Sequence, residues 1–349
     1  MASIFEDKIS VLVPAFNAER YLSDCLESVL SQADGNFELI VVDDGSSDGS
    51  GAILEEYARA YPDRVRVHRQ PNRGLILARR QGVALARGEL CMFLDADDML
   101  APGALEKIRA IIGKTGADIV LFNYENLYEP SGETEAEPPV FLDGSLFAGE
   151  NKRAVYEELL RSWRLNNLVT KAIRTPLVRE DDTPYEDYAH LRLGEDLLQS
   201  LYPLTHARRI AYCAEALYIY RHTRDSMIGA AGGSAPEDDA IGDRLESYMA
   251  LWGMDTPEAR ALFAKRRLGE LITSFWQAYR AAGTREGRRA AVSRDWAARL
   301  TPDMRACLQG RGLGLRQRAQ LWAILRRRRA LLYLMERAGG RKIRRQYGE

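Results

Sequence analysis

The chain has 349 residues, 46% of them hydrophobic and 28% charged, with a formal net charge of −1. These are ordinary globular values, and they exclude a disordered chain, a collagen-like fibre and a disulfide-stapled miniprotein. The net charge hides an asymmetry: residues 311–349 hold twelve Lys/Arg and two Glu, a +10 tail on a −11 body. A basic end of this kind points to a polyanion or an anionic surface as its partner. Stacking aromatics are sparse there, so no nucleic acid is expected.

At about 150 residues per domain, the length predicts two domains or one domain with an appendage. Cys25, Cys91, Cys213 and Cys307 show no zinc-type spacing and have mostly apolar neighbours. Buried free thiols and a reducing compartment are the expectation. No apolar run reaches the roughly 18 residues that would cross a bilayer. Met1 to Lys8 lacks a signal-peptide pattern. A cytoplasmic protein is expected, free to touch the inner face of the membrane peripherally.

In chain order, Ile9 to Val13 is an apolar run predicting a buried strand that ends at Pro14. Tyr21, Leu22, Cys25, Leu26, Val29 and Leu30 recur at helical spacing, giving a helix over about 18–32. Phe37 to Val42 predicts a second strand, stopped by the turn chemistry of Asp43-Asp44-Gly45-Ser46. A helix around 53–61, a short strand at 65–68 and a helix over 75–86 follow. Leu90 to Leu94 is a strand running into Asp95-Ala96-Asp97-Asp98. Pro102 opens a fourth helix, and 118–123 is a further strand. This alternation predicts an α/β fold with a mostly parallel sheet covered by helices on both faces.

From about 129 to 149, prolines, glycines and five acids read as an excursion or loop. Residues 151–163 look helical, 179–188 form an acidic loop, and 194–202 begin a helix. Ile210 to Tyr220 reads as one or two strands. Residues 229–240 are Gly/Ser/Pro/Asp-rich, and the remainder reads as helical. The division expected is 1–230 as the α/β domain and 231–349 as a helical region with the basic tail.

Three features lie at the carboxyl ends of predicted parallel strands: Pro14-Ala15-Phe16-Asn17, Asp43-Asp44-Gly45-Ser46 and Asp95-Ala96-Asp97-Asp98. Ligands of open α/β sheets bind outside those ends. Acids placed straight after apolar strands are crowded and partly desolvated, which is costly unless a cation offsets the repulsion. Mg²⁺ or Mn²⁺ suits one or two carboxylates plus substrate phosphates. Helix capping and turn formation are the competing explanation for the same acids.

The ordered stretches SVLVPAFNAERYLSDCLESVLSQ, FELIVVDDGSSDGS, NRGLILARRQGVALARGE and LCMFLDADD resemble the family-2 glycosyltransferases of the GT-A fold, a Rossmann-like nucleotide-diphospho-sugar transferase architecture. The resemblance covers residues 8–125 strongly and continues more loosely to about 230. It implies an inverting transfer from a nucleotide sugar, in particular a UDP-sugar, with Mn²⁺ or Mg²⁺. The acceptor it implies is a glycan or lipid-linked molecule of a bacterial surface polysaccharide. On the matching positions, Pro14, Phe16 and Asn17 would line the nucleoside pocket, with Glu19 the acid that follows. Asp43 and Asp44 form the next motif, and Asp44 would accept from the uracil edge. Arg79 would reach the base or the diphosphate. Asp95 would bind ribose or sugar. Asp97 would ligate the metal, with Asp98 the alternative ligand.

Gly194-Glu195-Asp196 resembles the family's Glu-Asp motif, making Asp196 the candidate base and Glu195 its neighbour. Tyr218 to His222 and Arg224-Asp225-Ser226 resemble the strand and loop that close over the donor. Arg221 or Arg224 would clamp the diphosphate, and His222 would add a metal ligand. The residues argue against two other functions. A sugar nucleotidyltransferase would want a Gly-rich basic loop near residues 9–20, which is absent. A non-catalytic nucleotide-sugar-binding module would have lost acids, yet Asp44, Asp97 and Asp196 are present. Trp322, Leu325, Leu331, Leu332, Leu334 and Met335 flank Arg326–Arg329, a basic amphipathic pattern suited to an anionic membrane surface.

Overall fold

The structure is a computed structural model and describes residues 7–33, 35–129, 131–191, 193–222, 240–310 and 313–336. Two compact units divide the chain. The first comprises 1–154 and 166–222, the second 155–165 and 223–349.

The first unit is built on a ten-stranded sheet. Its elements begin β1 (Ile9–Ala15), α1 (Leu22–Leu30), β2 (Phe37–Asp43), α2 (Ser50–Ala60), β3 (Val65–Arg69), α3 (Leu75–Leu85), β4 (Leu90–Phe93), β5 (Met99–Leu100), α4 (Ala104–Thr115) and β6 (Ile119–Tyr128). They continue with β7 (Glu133–Ala136), β8 (Leu146–Ala148), β9 (Lys171–Arg174), α6 (Thr175–Arg179), α7 (Glu195–His206) and β10 (Arg209–His222), while α5 (Arg153–Arg161), between β8 and β9 in the chain, belongs from residue 155 on to the second unit. The strand order is β3-β2-β1-β4-β9-β6-β10-β5, with β7 on β6 and β8 on β10. The β3-β2-β1-β4 half is parallel throughout, and β10 runs parallel to β6. Every residue of β1 and β2 is buried, as expected of strands covered on both faces.

Strand order reverses between β1 and β4, the switch point at which a crevice opens in such sheets. The proline helps to open it. The even residues of β1 face β4, as the bond from Leu94 N to the Leu12 carbonyl shows. Pro14 has no N–H to continue that ladder, which stops at Leu12 opposite Phe93. β1 nonetheless runs two residues beyond Val13, paired with β2 on its other side.

The sequence pattern had treated 129–149 as an excursion, and the structure finds β7 and β8 within it. β7 is wholly exposed, so burial left no apolar signature to read. β9 is a four-residue antiparallel insert between β4 and β6, too short for a periodic signal. Residues 210–220 lie in one 14-residue strand, β10, with register shifts around Ala216.

The second unit is helical: α8 (Ala240–Leu251), α9 (Pro257–Ala281), α10 (Arg285–Ser293), α11 (Pro302–Gln309) and α12 (Leu315–Leu325). Thr256, Thr284 and Thr301 cap α9, α10 and α11, each accepting from a first-turn N–H. Leu268, Phe275, Trp296, Leu321 and Leu332 centre its core. Segment 155–165 is held in this unit by the buried Arg266, which donates to the carbonyls of Leu159 and Ser162. Tyr156 stacks on Trp252 with ring centroids 4.3 Å apart. The basic amphipathic stretch is interrupted: α12 ends at Leu325, Arg327 takes φ +52°, and the backbone is helical again over 329–336. Leu332 is buried in the unit's own core, with Leu325, Leu331 and Met335 packed against it. Trp322, Tyr333 and Leu334 remain exposed.

Gly88 precedes β4 where the backbone passes close to β1. A Cβ there would stand 2.5 Å from the Lys8 carbonyl oxygen and 2.8 Å from Ser10 N. Gly88→Ala is therefore expected to cost about 1–3 kcal/mol through overpacking. Chemical denaturation followed by circular dichroism checks this, and an unchanged midpoint would refute the close approach.

Candidate active site

The tips of β1 and β2 are stitched together by side chains. Asn17, at φ +50°, accepts the Ser47 N–H on Oδ1 at 2.8 Å and donates its own N–H to Ser46 Oγ at 3.0 Å. Ala18 N donates to Ser50 Oγ, and Glu19 accepts the Gly49 N–H at 2.6 Å. Phe16 is left 51% exposed beside these loops, while Pro14 is buried in β1. Gly45 makes the turn at φ +81°, and a Cβ there would lie 2.9 Å from Asn72 N.

The two acids at the end of β2 have different surroundings. Asp43 is buried, accepts the Ser46 N–H at 2.9 Å and pairs with Arg69 at 3.2 Å. Asp44 receives Gln70 Nε2 at 2.7 Å, Arg73 N at 2.9 Å and Gly74 N at 2.8 Å. It therefore orders the turn leading into α3 and retains one acceptor position for a ligand.

Arg79 lies on the inner face of α3, one turn beyond Ile76 and one before Gly82, whose missing side chain lets the helix approach Leu12 of β1. Its side chain is 1% exposed and bridges two carboxylates: Nη2 to Asp95 at 2.8 Å and Nη1 to Asp196 at 2.5 Å. Residues 117 positions apart thus meet at one buried guanidinium. The acids hold the guanidinium firmly charged, Asp196 most strongly. Asp196 Oδ2 also accepts the Leu168 N–H at 3.3 Å.

The neighbouring groups feel this crowding. Burial, and then the charge of Asp196, push the Glu195 carboxyl up to about 7. Its Oε2 is buried without a hydrogen-bond partner. Burial, and then Asp95, push Asp97 up to about 6. Lys171 of β9 is 1% exposed, donates to the Asn167 carbonyl, and is pushed down to about 7 by burial against the opposing pull of Asp196. No periodicity drew attention to Lys171, because one lysine in a four-residue strand leaves no pattern.

The remaining expected residues lie elsewhere. Asp98 is buried and accepts Tyr218 Oη at 2.5 Å and Arg221 N at 2.7 Å, an anchor between the strand tip and β10. Burial and the adjacent acids raise its carboxyl well above the usual range. Arg221 pairs with Glu129 at 2.6 Å and Asp24 at 2.8 Å, over the ring of Tyr21. Its charge is thus already matched within the protein. His222 Nε2 lies 2.7 Å from Asn126 Oδ1, and the ring stacks on Tyr128. Burial lowers its pKa, favouring the neutral ring. Arg224 lies outside the described residues. Among the described residues, no three His, Cys, Asp or Glu side chains converge as a metal-binding group. Asp97, Asp98 and His222 thus do not form a ready-made triad. Asp95 and Asp97 do fit the sparser mode in which one or two carboxylates share a hard divalent cation with substrate phosphates. Burial raises Asp97 most and the charge of Asp95 adds to it, and a cation would relieve both by favouring the ionised form.

The family model "Glycosyl transferase family 2" matches residues 10–160. GlyG, a glycosyltransferase of Streptococcus pneumoniae, is 30% identical over 226 residues, 63% of this chain and 72% of GlyG. The chain belongs to glycosyl transferase family 2. EpsH of Bacillus subtilis, also named as a glycosyltransferase, is 31% identical over 227 residues, 63% of this chain. That alignment spans 62% of EpsH's own length. Among solved structures, residues 1–349 of Staphylococcus aureus TarS in complex with UDP-GlcNAc superpose with a TM-score of 0.66. The match has 19% identity and covers 95% of this chain and 92% of that one. It establishes the shared GT-A fold. No helix among the described residues is long and apolar enough to cross a membrane.

The crowded acids should cost this family-2 chain stability. Ionised Asp97 opposes folding, because its pKa is about 6 when folded against an ordinary 3.8. That penalty is absent below 3.8 and grows as pH rises through about 6. Asp97→Asn is therefore expected to raise the melting midpoint at pH 8 by about 2–6 °C and to leave it unchanged at pH 3.5. Calorimetry at the two pH values measures the difference, and equal midpoints at pH 8 would contradict it.

Proposed function

We propose that this chain transfers a sugar from a UDP-sugar, with inversion, to a glycan or lipid-linked acceptor in bacterial surface-polysaccharide synthesis. The observation that carries the proposal is the Arg79 bridge, which unites the strand-tip acid Asp95 with Asp196 at the start of α7. UDP-GlcNAc, present in the TarS complex, is the first donor to test. Family membership supports the reaction class, and the names of GlyG and EpsH agree with it. We assign the transfer chemistry to residues 1–230 and leave acceptor and surface contacts to 231–349.

The exposed Phe16 with Asn17 and Asp44 would receive the nucleoside, Asp44 through its remaining acceptor position. Asp95 and Asp97 would hold Mn²⁺ or Mg²⁺, which when bound supplies positive charge to the leaving diphosphate. Asp196 takes the proton as the acceptor O–H bond breaks and its oxygen bonds to the anomeric carbon. The bond from that carbon to the diphosphate oxygen breaks on the opposite face, and the nucleoside diphosphate leaves with the electron pair. Arg79 orients Asp196 and adds charge beside the site. Glu195 lies next to the base and, once ionised, places a second negative charge beside it.

Three variants test this. Asp196→Asn is expected to lower kcat by about 10²–10⁴-fold, with donor binding changed little. Wild-type kcat should rise through a pH of about 7, the value for Glu195, and Glu195→Gln should remove that rise. Asp97→Ala should abolish Mn²⁺-stimulated hydrolysis of UDP-GlcNAc. Equal, metal-independent turnover in wild type and Asp97→Ala would refute the catalytic reading, and loss of donor binding in Asp196→Asn would misplace the base.

A further inference from the structure

The second unit contains a cavity of about 600 Å³ whose lining includes Arg285, Arg288, Arg289, Arg329, Tyr279 and Tyr333. Three of the arginines come from α10 at positions i, i+3 and i+4, which share one helix face. Arg329 reaches the same space from the helical segment that follows the left-handed turn at Arg327. Val292 and Ala330 complete the wall as apolar surface.

This arrangement works against helix stability. Like charges three and four residues apart repel. Arg285 also sits in the first turn of α10, where the helix dipole favours acids. Arg288 pairs with Glu336 at 3.2 Å, and its Nε is buried without a hydrogen-bond partner. Arg329 donates to Ser293 Oγ at 3.3 Å. Arg285 and Arg289 make no ion pair among the described residues. Among the described residues, Glu336 is the one carboxylate ion-paired with these four guanidinium groups. The aromatic walls suit a ring or chain attached to an anion, because arginines clamp phosphate oxygens through paired donors while tyrosines cover an adjoining apolar or sugar face.

We propose that this cavity is a binding site for a phosphate ester, distinct from the strand-tip acids and contained wholly in the second unit. The phosphate can belong to a soluble molecule or to a lipid headgroup, and the chemistry of recognition is the same. The site holds whether or not the transferase mechanism does, since its test reads binding and not turnover.

The full-length protein, with EDTA present, is titrated with inorganic pyrophosphate by calorimetry. It is separately sedimented with vesicles of phosphatidylglycerol in phosphatidylcholine and with phosphatidylcholine alone. Arg285→Glu/Arg289→Glu is compared with the charge-matched control Arg316→Glu/Arg326→Glu, whose exposed side chains lie outside the cavity. The cavity variant is expected to lose at least about tenfold in affinity, the control less than about twofold. Loss in the pyrophosphate arm assigns a soluble phosphate. Loss confined to phosphatidylglycerol vesicles assigns a lipid headgroup. UDP binding should be retained by the cavity variant, and its melting midpoint without ligand should be no lower than wild type, since repulsion has been removed. Equal losses in the two variants, no binding by wild type in either arm, or a lowered midpoint marking the arginines as structural would each overturn the proposal.

Discussion

One buried guanidinium holds the candidate site together. Arg79 lies within a sheet-covering helix where an unpaired cation would be prohibitive, and two carboxylates from distant parts of the chain make its burial tolerable. The dependence runs both ways. Without Arg79, Asp95 and Asp196 would repel each other across a partly desolvated crevice. The position of α7 relative to the strand tips, and hence the placement of Glu195, follows from that shared cation.

The same bridge divides the acids by role. Asp43 and Asp98 are buried and occupied by hydrogen bonds from their own chain, so they shape loops, while Asp44 orders the turn into α3 and keeps one acceptor position. Asp97 and Glu195 remain strained by burial and neighbouring charge. Groups held away from their preferred ionisation state in a crevice are the usual mark of working residues, because a ligand can relieve what the fold cannot. The arginine-lined cavity of the second unit has the same logic with the sign reversed: charge is gathered there beyond what the described residues pair.

Much of the first unit was legible. The fully buried strands β1 and β2 announce themselves as apolar runs, and the motif at each tip follows directly from where the run stops. The sequence left open which of Asp97 and Asp98 would be the metal ligand. Asp97 and Asp98 are adjacent in sequence, but the backbone turn sends Asp98 inward to Tyr218 and leaves Asp97 half-buried at the crevice. The pairing of Arg221 with Asp24 and Glu129 was equally unreadable, because the three residues come from separate elements. β7 and β9 escaped because one is wholly exposed and the other is four residues long.

The amino-acid sequence alone determined the alternation of strands and helices, the mostly parallel sheet, the family and the loops that carry its acids. Those are local properties, written in hydrophobic period and turn chemistry. Only the tertiary structure decided which acid meets which cation, that Lys171 is buried beside Asp196, that Pro14 ends a ladder at the strand-order reversal, and that four arginines line one open cavity. Each of these depends on distances between residues far apart in the chain, which packing sets and no local pattern encodes.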